Sequence, residues 1–516
     1  MASTKQKSKL SNLIEELWVF GDSYSDFGSR AASFEKNVAG AEATPAWSGI
    51  TFSNTRIVWQ TLLRKRLGIP FNQTTGSGIT NTFVGGGPSP VKAKRGNGSY
   101  AIGGALSGTE TLYQVEVAVD KLPKSVLKPP YSLANRGLQK QIGRALTGDD
   151  VRFKSDDLVA VWSGGNDLLA ADMTGADLQT TFENILEDTR ENLIALIRRG
   201  EARSILVSTI APIDGTVNDV VYESPFINQL PEAWKEALQS GELAEFRNEI
   251  NTMVEQVNAM FPYASIIHFN NEYQANWERF GNQLGDFASH GITNTTESAQ
   301  SSGHKTAKGY LYFDEIHPTR QGHSMLAKAI ELTLMAEQKS IRSARLTAEI
   351  QVDVEDSTLI GSPANEHMIG LATDDTLIGR GGHDLINGAG GKDRLNGNRG
   401  KDLLIGGLGA DRMRGGLGAD LFAFELGDAD SSRDQILDFK PEQQGDRLGL
   451  SNAFAEAKGD LFFMPTSSDW DTALEIQSHG KSSTLLKLDL NNNGKSDFEI
   501  LLKGIAADSF DTAWIS

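Results

Sequence analysis

Residues 388–423 read GAGGKDRLN GNRGKDLLI GGLGADRMR GGLGADLFA, one nine-residue pattern written four times in succession. Looser copies carry the pattern back to residue 361. Every unit begins with glycine, at Gly361, Gly370, Gly379, Gly388, Gly397, Gly406 and Gly415. The eighth position is always apolar, at Met368, Leu377, Ile386, Leu395, Leu404, Met413 and Phe422. This fixed period predicts a repeat array in which each unit packs against its neighbours.

The sixth position of each unit carries an acid, which predicts bound metal. It is Glu366 in the first unit and then Asp375, Asp384, Asp393, Asp402, Asp411 and Asp420. Glycines at the first, second and fourth positions let the backbone take positive φ and turn sharply before a short strand. Stacked carboxylates would repel one another unless a hard cation were shared between turns. We therefore expect several structural calcium ions, with the six aspartates as ligands.

These units resemble the RTX nonapeptide repeat, which implies a parallel β-roll that binds calcium in its turns. The first two units, residues 361–378, depart from the pattern, so their calcium sites are open to question and a capping role is expected there. After the array, residues 432–451 and 486–504 alternate apolar and polar side chains, which predicts a β cap. This region resembles the C-terminal part of serralysin-type RTX exoproteins, and that resemblance implies a type I secretion signal.

One turn in this cap leaves two readings open. Asp489, Asn491, Asn493 and Asp497 are spaced like the start of an EF-hand loop. Ile500, however, stands at the twelfth position, where a bidentate glutamate belongs. A hairpin turn and a calcium site are therefore both expected alternatives.

Composition limits the rest of the chain. Its 516 residues are enough for several domains, and 39% hydrophobic residues are enough to bury their cores. The net charge of −18 disfavours nucleic acid as a partner, and the absence of cysteine excludes disulfides and thiolate nucleophiles. No apolar run approaches the roughly 18 residues of an integral membrane segment. Near the start, Glu15 and Glu16 interrupt what would have to be the apolar stretch of a signal peptide, so N-terminal signal export is not expected.

The first two thirds of the chain alternate predicted strands with predicted helices. Strand-like runs occur at residues 17–20, 100–104, 157–165, 204–213 and 264–269. Between or after them, residues 182–200, 243–260 and 322–338 repeat apolar positions every three or four residues. This order predicts a parallel sheet flanked by helices, with the functional site at the carboxyl ends of its strands.

The polar residues at those ends suit acyl transfer. Ser23 follows the first strand, and His317 lies three residues after Asp314, close enough for the carboxylate to fix the imidazole tautomer. His317 would remove the Ser23 proton while Asp314 supports the imidazolium. The N–H of Gly104 and the side-chain amide of Asn166 are candidate donors to the oxyanion.

Other histidines are less suited to be the catalytic base. His290, four residues after Asp286, and His304 are reserve candidates for the base, and His323 lies on a helix and is expected to be structural.

Four motifs, GDSYSD, YAIGGA, GGND and DEIHP, occur in the order found in the GDSL, or SGNH, hydrolases, which residues 17 to about 335 resemble. The resemblance implies a three-layer α/β fold with a five-stranded parallel sheet between helices. It makes Ser23 the nucleophile and an additional oxyanion donor. Tyr24 and Ser29 differ from the common family residues, which leaves the substrate rim open.

Together these patterns predict a secreted, extracellular serine carboxyl-ester hydrolase that acts on small-molecule or lipid esters. The alternatives are a carbohydrate O-acetylesterase and a calcium-dependent adhesive or surface protein with an inert hydrolase-like domain. Type I secretion implies the secretion apparatus as a partner. The expected division is a polar extension (1–16), the hydrolase domain (17–337), a linker (338–360), the calcium-binding roll (361–423) and the cap with the secretion signal (424–516).

Overall fold

The protein is described by a computed structural model. The described residues are 9–21, 58–69, 106–108, 118, 137–148, 151–210, 214–261, 263–299, 301–303, 307–314, 317–346, 348–352, 357–430, 432–450, 453, 457–458 and 467–515. The chain forms two compact units, one comprising residues 1–254 and 266–339 and the other residues 255–265 and 340–516. Each unit is described separately below.

The first unit contains a sheet whose apolar strands are buried on both faces. Its strands, in the spatial order β1-β2-β3-β6, are β1 (Glu16–Gly21), β2 (Asp157–Ser163), β3 (Ser204–Thr209) and β6 (Ser265–His268). β1 pairs with β2 and β2 with β3 in parallel. Side chains of β2 and β3 are buried throughout, which explains why these strands are near-continuous apolar runs. The predicted strand over 100–104 lies outside the described residues, so four strands of the expected five are seen.

Helices accompany these strands, and three of them cover most of the segments that periodicity predicts at residues 182–200, 243–260 and 322–338. They are α1 (Trp59–Leu67), α2 (Leu138–Gly143), α3 (Gly165–Thr174), α4 (Leu178–Arg198), α5 (Glu232–Ala237), α6 (Leu243–Met260), α7 (Tyr273–Phe280) and α8 (Arg320–Ala336). Two short strand pairs complete the unit: β4 (Asp214–Val217) with β5 (Val220–Glu223), and β7 (Asn294–Ser298) with β8 (Tyr310–Tyr312). The combination confirms the predicted α/β class.

The N-terminal segment contributes to the core of this unit. A 3₁₀ helix spans Lys9–Asn12, and Leu10, Leu13 and Ile14 are buried. Residues 9–14 fall in the stretch that the sequence assigned to a polar extension.

Most of the second unit is a roll of two parallel sheets, which follows α9 (Gln338–Ala344) in the chain. One sheet contains β9 (Ala348–Gln351), β11 (Glu366–Ile369), β13 (Leu385–Asn387), β15 (Leu403–Ile405), β17 (Leu421–Ala423) and β19 (Arg447–Gly449). The other contains β10 (Thr358–Ile360), β12 (Thr376–Ile378), β14 (Arg394–Arg399), β16 (Arg412–Leu417) and β18 (Arg433–Ile436). Both α9 and the first strands lie in the segment expected to be a linker.

Consecutive nonapeptides contribute their strands to the two sheets in alternation, so one full turn of the roll consists of two nonapeptides. Leu377 therefore pairs with Leu395, and Leu395 with Met413. The apolar eighth-position side chains from Met368 to Phe422 are at most 2% exposed and form the centre of one hydrophobic cluster. The predicted β-roll is confirmed, with the eighth position as its core.

The turns use their early residues in two different ways. The second residue takes positive φ even where it is not glycine, as at Arg380, Ala389 and Asn398. At the fourth position, Gly400 has φ of 140°, and a Cβ there would collide with the carbonyl oxygen of Gly382 on the preceding turn. From Gly382 onward, glycine is therefore required at the fourth position by both conformation and space.

The cap closes the end of the roll. β18 pairs in parallel with β22 (Phe498–Lys503), which continues antiparallel to β21 (Ser483–Leu488) and β20 (Leu474–Ser478). The short helices α10 (Pro441–Gln444) and α11 (Ser467–Ala473) accompany it. Ile515 forms a β-bridge with Leu448, so the last described residues are part of this folded cap.

No helix among the residues described is long and apolar enough to cross a membrane.

Candidate active site and metal sites

The histidine and aspartate predicted as partners form a hydrogen-bonded dyad. His317 Nδ1 lies 2.9 Å from both carboxylate oxygens of Asp314, and the backbone N–H of His317 donates to Asp314 Oδ1 at 2.7 Å. With Asp314 ionised, Nδ1 carries the proton and donates it, which leaves Nε2 as the acceptor. In that tautomer, the dyad can act as a general base through Nε2.

The chain around the dyad explains its position. A β-bridge joins Tyr312 to Pro318, and the backbone N–H of Phe313 donates to the carbonyl of His317 at 2.8 Å. Thr319 then caps α8, accepting a hydrogen bond from the backbone N–H of Gly322. His317 is consequently held on a tight connection between β8 and α8, and its side chain is largely buried.

Ser23 and Gly104 lie outside the described residues, but the anchor before Ser23 is described. Gly21 ends β1 with φ of 151°, and a Cβ there would collide with the carbonyl oxygen of Trp162. The buried amide of Gln141 accepts from the N–H of Gly21 at 3.0 Å and donates to its carbonyl at 2.9 Å. The backbone two residues before Ser23 is thus fixed by β2 on one side and by Gln141.

Asn166 occupies the first turn of α3, immediately beyond the carboxyl end of β2. Gly164 at the helix N-cap has φ of 105°, and a Cβ there would press against Ile210 at 3.2 Å. The strand can turn at once into the helix because this position is glycine. Asn166 is therefore placed at the edge of the sheet where a predicted oxyanion donor belongs, and it is buried.

Two other histidines make contacts that do not suit a catalytic base. His290 Nε2 lies 3.0 Å from the carbonyl oxygen of Leu284 rather than on Asp286, and burial is the main cause that lowers its pKa. His323 is fully buried in α8, in keeping with its expected structural role. His304 lies outside the described residues.

In the roll, the sixth-position aspartates form a ladder that bridges successive turns. From Asp384 onward, Oδ1 of each aspartate accepts the backbone N–H of the acid 18 residues earlier, for example that of Asp384 on Asp402 at 2.9 Å and that of Asp393 on Asp411 at 2.8 Å. Oδ1 of Asp375 instead accepts the backbone N–H of Ser357. The side chains are almost wholly buried. One oxygen of each carboxylate is therefore committed to holding two turns together.

The second oxygen of the same carboxylates is the observation that fits a metal. Oδ2 has no hydrogen-bond partner among the described residues at Asp384, Asp393, Asp402, Asp411 and Asp420. Each of these oxygens faces the first glycine of its own unit, where a Cβ would collide with it. At Gly379, the carbonyl oxygen of Gly397 borders the same space, 3.0 Å from the Cβ position. Buried, unpartnered carboxylate oxygen beside carbonyl oxygen is the donor chemistry that calcium prefers.

Burial explains the electrostatics of this ladder. It raises the pKa of Asp384, Asp393, Asp411 and Asp420 to about 7 and that of Asp402 to about 8, and neighbouring carboxylates add to the shift. Within the described ranges, no group of three or more histidine or acidic side chains converges on one point. A bound ion would therefore complete its shell with carbonyl and water oxygens.

The first two units use their acids differently. Asp375 Oδ2 accepts the backbone N–H of Leu371 at 2.8 Å, and Glu366 accepts from both the N–H and the hydroxyl of Ser362. Their carboxylates are thus bonded within the protein, as expected for a capping turn. Asp375 stays a predicted calcium ligand, but its Oδ2 already accepts a hydrogen bond from the backbone of Leu371.

The family comparison identifies the first unit. The model of the GDSL-like lipase/acylhydrolase family matches residues 17–330, more than half of the chain. The chain belongs to the GDSL-like lipase/acylhydrolase family. Two overlapping segments, residues 360–395 and 388–422, match the family model of the RTX calcium-binding nonapeptide repeat, which comprises four copies of the repeat. The protein is accordingly a GDSL-family hydrolase that carries RTX repeats.

Solved structures give weaker likenesses for this GDSL-family chain. A mannuronan C5-epimerase subunit from Azotobacter vinelandii is 29% identical, covering 32% of this chain and 84% of its own, with a TM-score of 0.21. A Lactobacillus plantarum protein is 12% identical, covering 63% and 97%, with a TM-score of 0.29. The extracellular lipase LipA from Serratia marcescens is 11% identical, covering 79% and 76%, with a TM-score of 0.11. A comparison with curated proteins gives no significant match.

Sequence reasoning missed residues that extend the ladder of this GDSL-family hydrolase. Asp434 Oδ1 accepts from the N–H of Asp411 at 2.8 Å, and Asp446 Oδ1 from that of Asp420 at 3.1 Å. Both acids precede an apolar residue by two positions, as in the repeats, but not at the nine-residue interval. That local pattern, an acid two positions before an apolar residue, could have identified Asp434 and Asp446 from the sequence.

The turn after β21 is held by its own hydrogen bonds. Asp489 accepts the backbone N–H groups of Asn493 and Gly494 at 3.0 and 2.7 Å, and Asp497 accepts that of Leu490 at 2.8 Å. The turn connects β21 to β22 as an antiparallel hairpin. Of the two predicted alternatives, the hairpin is the one that this geometry supports.

Proposed function

We propose that this GDSL-family chain is a secreted serine carboxyl-ester hydrolase that works through an acyl-enzyme on Ser23. The observation that carries the proposal is the 2.9 Å contact between His317 Nδ1 and Asp314, because it leaves Nε2 ready to accept a proton. The order of the motifs in the sequence supports Ser23 as the nucleophile. Lipase, esterase or phospholipase activity would follow from the shape of the acyl and head-group sites.

The reaction consists of two acyl transfers. His317 Nε2 takes the proton of Ser23 Oγ, and Oγ forms a bond to the ester carbonyl carbon. The N–H groups of Ser23 and Gly104 and the amide of Asn166 stabilise the oxyanion, each by about 3 to 4 kcal/mol. His317 then gives its proton to the departing alkoxide as the ester C–O bond breaks. Water repeats the sequence on the acyl-enzyme, releasing the acid and restoring Ser23.

Structural calcium would be held in the roll by the ladder carboxylates, Asp384, Asp393, Asp402, Asp411 and Asp420. Asp375, the sixth aspartate predicted from the sequence, already has its Oδ2 bonded to the N–H of Leu371. When bound, the ions neutralise buried charge and link successive turns. The chain itself supplies backbone bonds from each aspartate Oδ1 to the turn before. This role is structural and separate from the acyl-transfer chemistry.

Export follows from the same proposal. Calcium affinities of extracellular modules are about 10⁻⁴ to 10⁻³ M, so the roll would stay unfolded inside a cell and fold outside it. The predicted type I secretion signal lies in residues 424–516, after the hydrolase (17–337), the segment 338–360 and the roll (361–423).

The decisive experiment replaces Ser23 by alanine and compares it with Ser25→Ala in the same motif. Hydrolysis of a nitrophenyl ester should disappear in S23A and persist in S25A, with unchanged circular dichroism in both. Retained turnover in S23A would remove Ser23 from the mechanism. Failure of a fluorophosphonate to label Ser23 would favour the adhesive-protein alternative.

A substrate panel separates the enzymatic alternatives. Long-chain acyl esters and phospholipids should be cleaved faster than acetylated glycans by a lipase or phospholipase. The opposite order would identify a carbohydrate O-acetylesterase.

A further inference from the structure

Three oxygen-bearing side chains meet in the first unit, on residues that lie close in sequence to two predicted oxyanion donors or on a neighbouring helix. Ser107 Oγ lies 2.7 Å from Asp167 Oδ1 and 2.6 Å from Asp188 Oδ2. Ser107 belongs to the segment 106–108, Asp167 to the first turn of α3, and Asp188 to the middle of α4. The contact therefore joins three separate pieces of chain.

The number of hydrogens at this junction is fixed by simple counting. The Ser107 hydroxyl carries one hydrogen and can donate to only one of the two carboxyl groups. If both acids were ionised, the other contact would be a bare pair of oxygens at hydrogen-bond distance. One further proton must therefore reside on Asp167 or Asp188, so that the hydroxyl donates to one acid and accepts from the other.

The remaining contacts indicate which acid is the acceptor. The backbone N–H of Ser107 also donates to both oxygens of Asp167, at 3.0 and 3.3 Å. Asp188 instead has Gln139 Nε2 at 3.4 Å from its other oxygen. Asp167 is thus the ionised end, and Asp188 Oδ2–H donates to Ser107. Burial is the largest cause that raises the pKa of the Asp188 carboxyl group, which favours its protonated form.

We propose that Ser107, ionised Asp167 and protonated Asp188 form a positioning network for the oxyanion donors of the proposed ester hydrolase. Asn166 immediately precedes Asp167, and Gly104 lies three residues before Ser107. The inference depends on the proposed function for its catalytic meaning. None of the three residues touches the reacting atoms; they hold the two donor segments to each other.

Further bonds tie the same segment to its surroundings. Asn192 Nδ2 on α4 donates to the carbonyl of Ser107 at 3.0 Å. The N–H of Leu138 donates to the carbonyl of Leu106, and that of Gln139 to Gly108, at 2.9 and 3.0 Å. Because the segment is held by its backbone as well, loss of one side chain should shift the donors without unfolding the unit.

Such a shift affects the transition state more than the bound substrate. Oxyanion donors act on charge that develops during acyl transfer, so their displacement lowers kcat and leaves KM nearly unchanged. A displacement of about 1 Å can cost on the order of 10²-fold in rate.

The test uses the full chain with calcium and compares Asp188→Ala with Asp188→Asn. D188A should lose about 10²-fold in kcat with little change in KM. D188N should stay near wild type, because its amide N–H can replace the carboxyl O–H as donor to Ser107. Glu187→Gln, a neighbouring exposed position on α4, is the control and should be unaffected. Wild-type kcat in D188A, or equal losses in D188A and D188N, would overturn the network.

A second measurement does not depend on turnover or on the stability of D188A. Infrared difference spectra of wild type against D188N should show the C=O stretching band of a protonated carboxyl near neutral pH. Absence of that band would overturn the shared proton.

Failure of the function itself is distinguishable. If wild type reacts with a fluorophosphonate while D188A keeps full kcat, only the network is wrong. If wild type does not react at all, the ester-hydrolase proposal falls, and the catalytic role of the network with it.

Discussion

The two units of this protein reach their functional geometry by opposite routes. In the repeats of the roll, paired residues lie 18 positions apart, and the same contact recurs along the array. In the hydrolase unit, Gly21 meets Gln141 across 120 residues, and Ser107 meets Asp188 across 81. The surroundings of a residue in a short repeat can be predicted from the local sequence. The surroundings of a residue in a site built from distant segments depend on how those segments pack.

The largest effect is expected at the dyad of Asp314 and His317, because the proposed mechanism depends on the hydrogen bond between these two side chains. Asp314→Asn should lower kcat on the order of 10⁴-fold, because the amide no longer enforces the imidazole tautomer. Steady-state ester hydrolysis measures the effect. The matched control is Asp286→Asn at the other acid–histidine spacing, which should change kcat little. Equal losses in both variants would break the assignment of Asp314 and His317 to the active site.

Removal of calcium should act on the roll as a whole. Without the ion, the negative charge on the buried Oδ2 atoms of the ladder is uncompensated, so the strands should open together. Hydrogen-exchange mass spectrometry of the full chain, with and without a chelator, resolves the two units. We expect protection of residues 376–417 to be lost and protection of β1 to β3 to be kept. Unchanged exchange in the roll would contradict a calcium-dependent fold.

The thermal stability of the calcium-free roll should change with pH in the direction opposite to that of the calcium-bound roll. The folded-state pKa values of about 7 to 8 lie above the unfolded value near 3.9. The stabilisation from protonation is therefore complete below about pH 4 and is lost as pH rises through 7 to 8. Calorimetry in chelator should show a lower Tm at pH 8 than at pH 5. With calcium the order should reverse, since protons compete for the same oxygens.

The smallest effect should separate two aspartates that look alike in sequence. Asp402→Asn removes a carboxylate whose Oδ2 has no partner among the described residues, and it should reduce the number of calcium ions bound. Asp375→Asn changes a carboxylate already bonded to Leu371, so the stoichiometry should stay the same. Isothermal titration of the full chain counts the ions. A loss in D375N equal to that in D402N would show that the early units bind calcium too.

Much of the fold was predictable because its signals are local. The helix over 243–260 matches the predicted periodicity, and the apolar eighth positions fall in the core of the roll. Asp314 and His317 were paired from a three-residue spacing, which a tight turn makes a reliable guide. The extra ladder acids Asp434 and Asp446 were missed because their spacing leaves the nine-residue period, although they occupy the same structural position.

The sequence by itself determined the class of each unit, the period of the roll, its core and the chemical types at the proposed active site, because these depend on repeats, alternation and short spacings. Only the tertiary structure decided that Gln141 clamps Gly21, that Ser107 joins Asp167 to Asp188, and that Asp375 differs from Asp402. Those relations arise when remote backbone and side-chain groups compete for the same hydrogen bonds, and no local pattern records which of them meet.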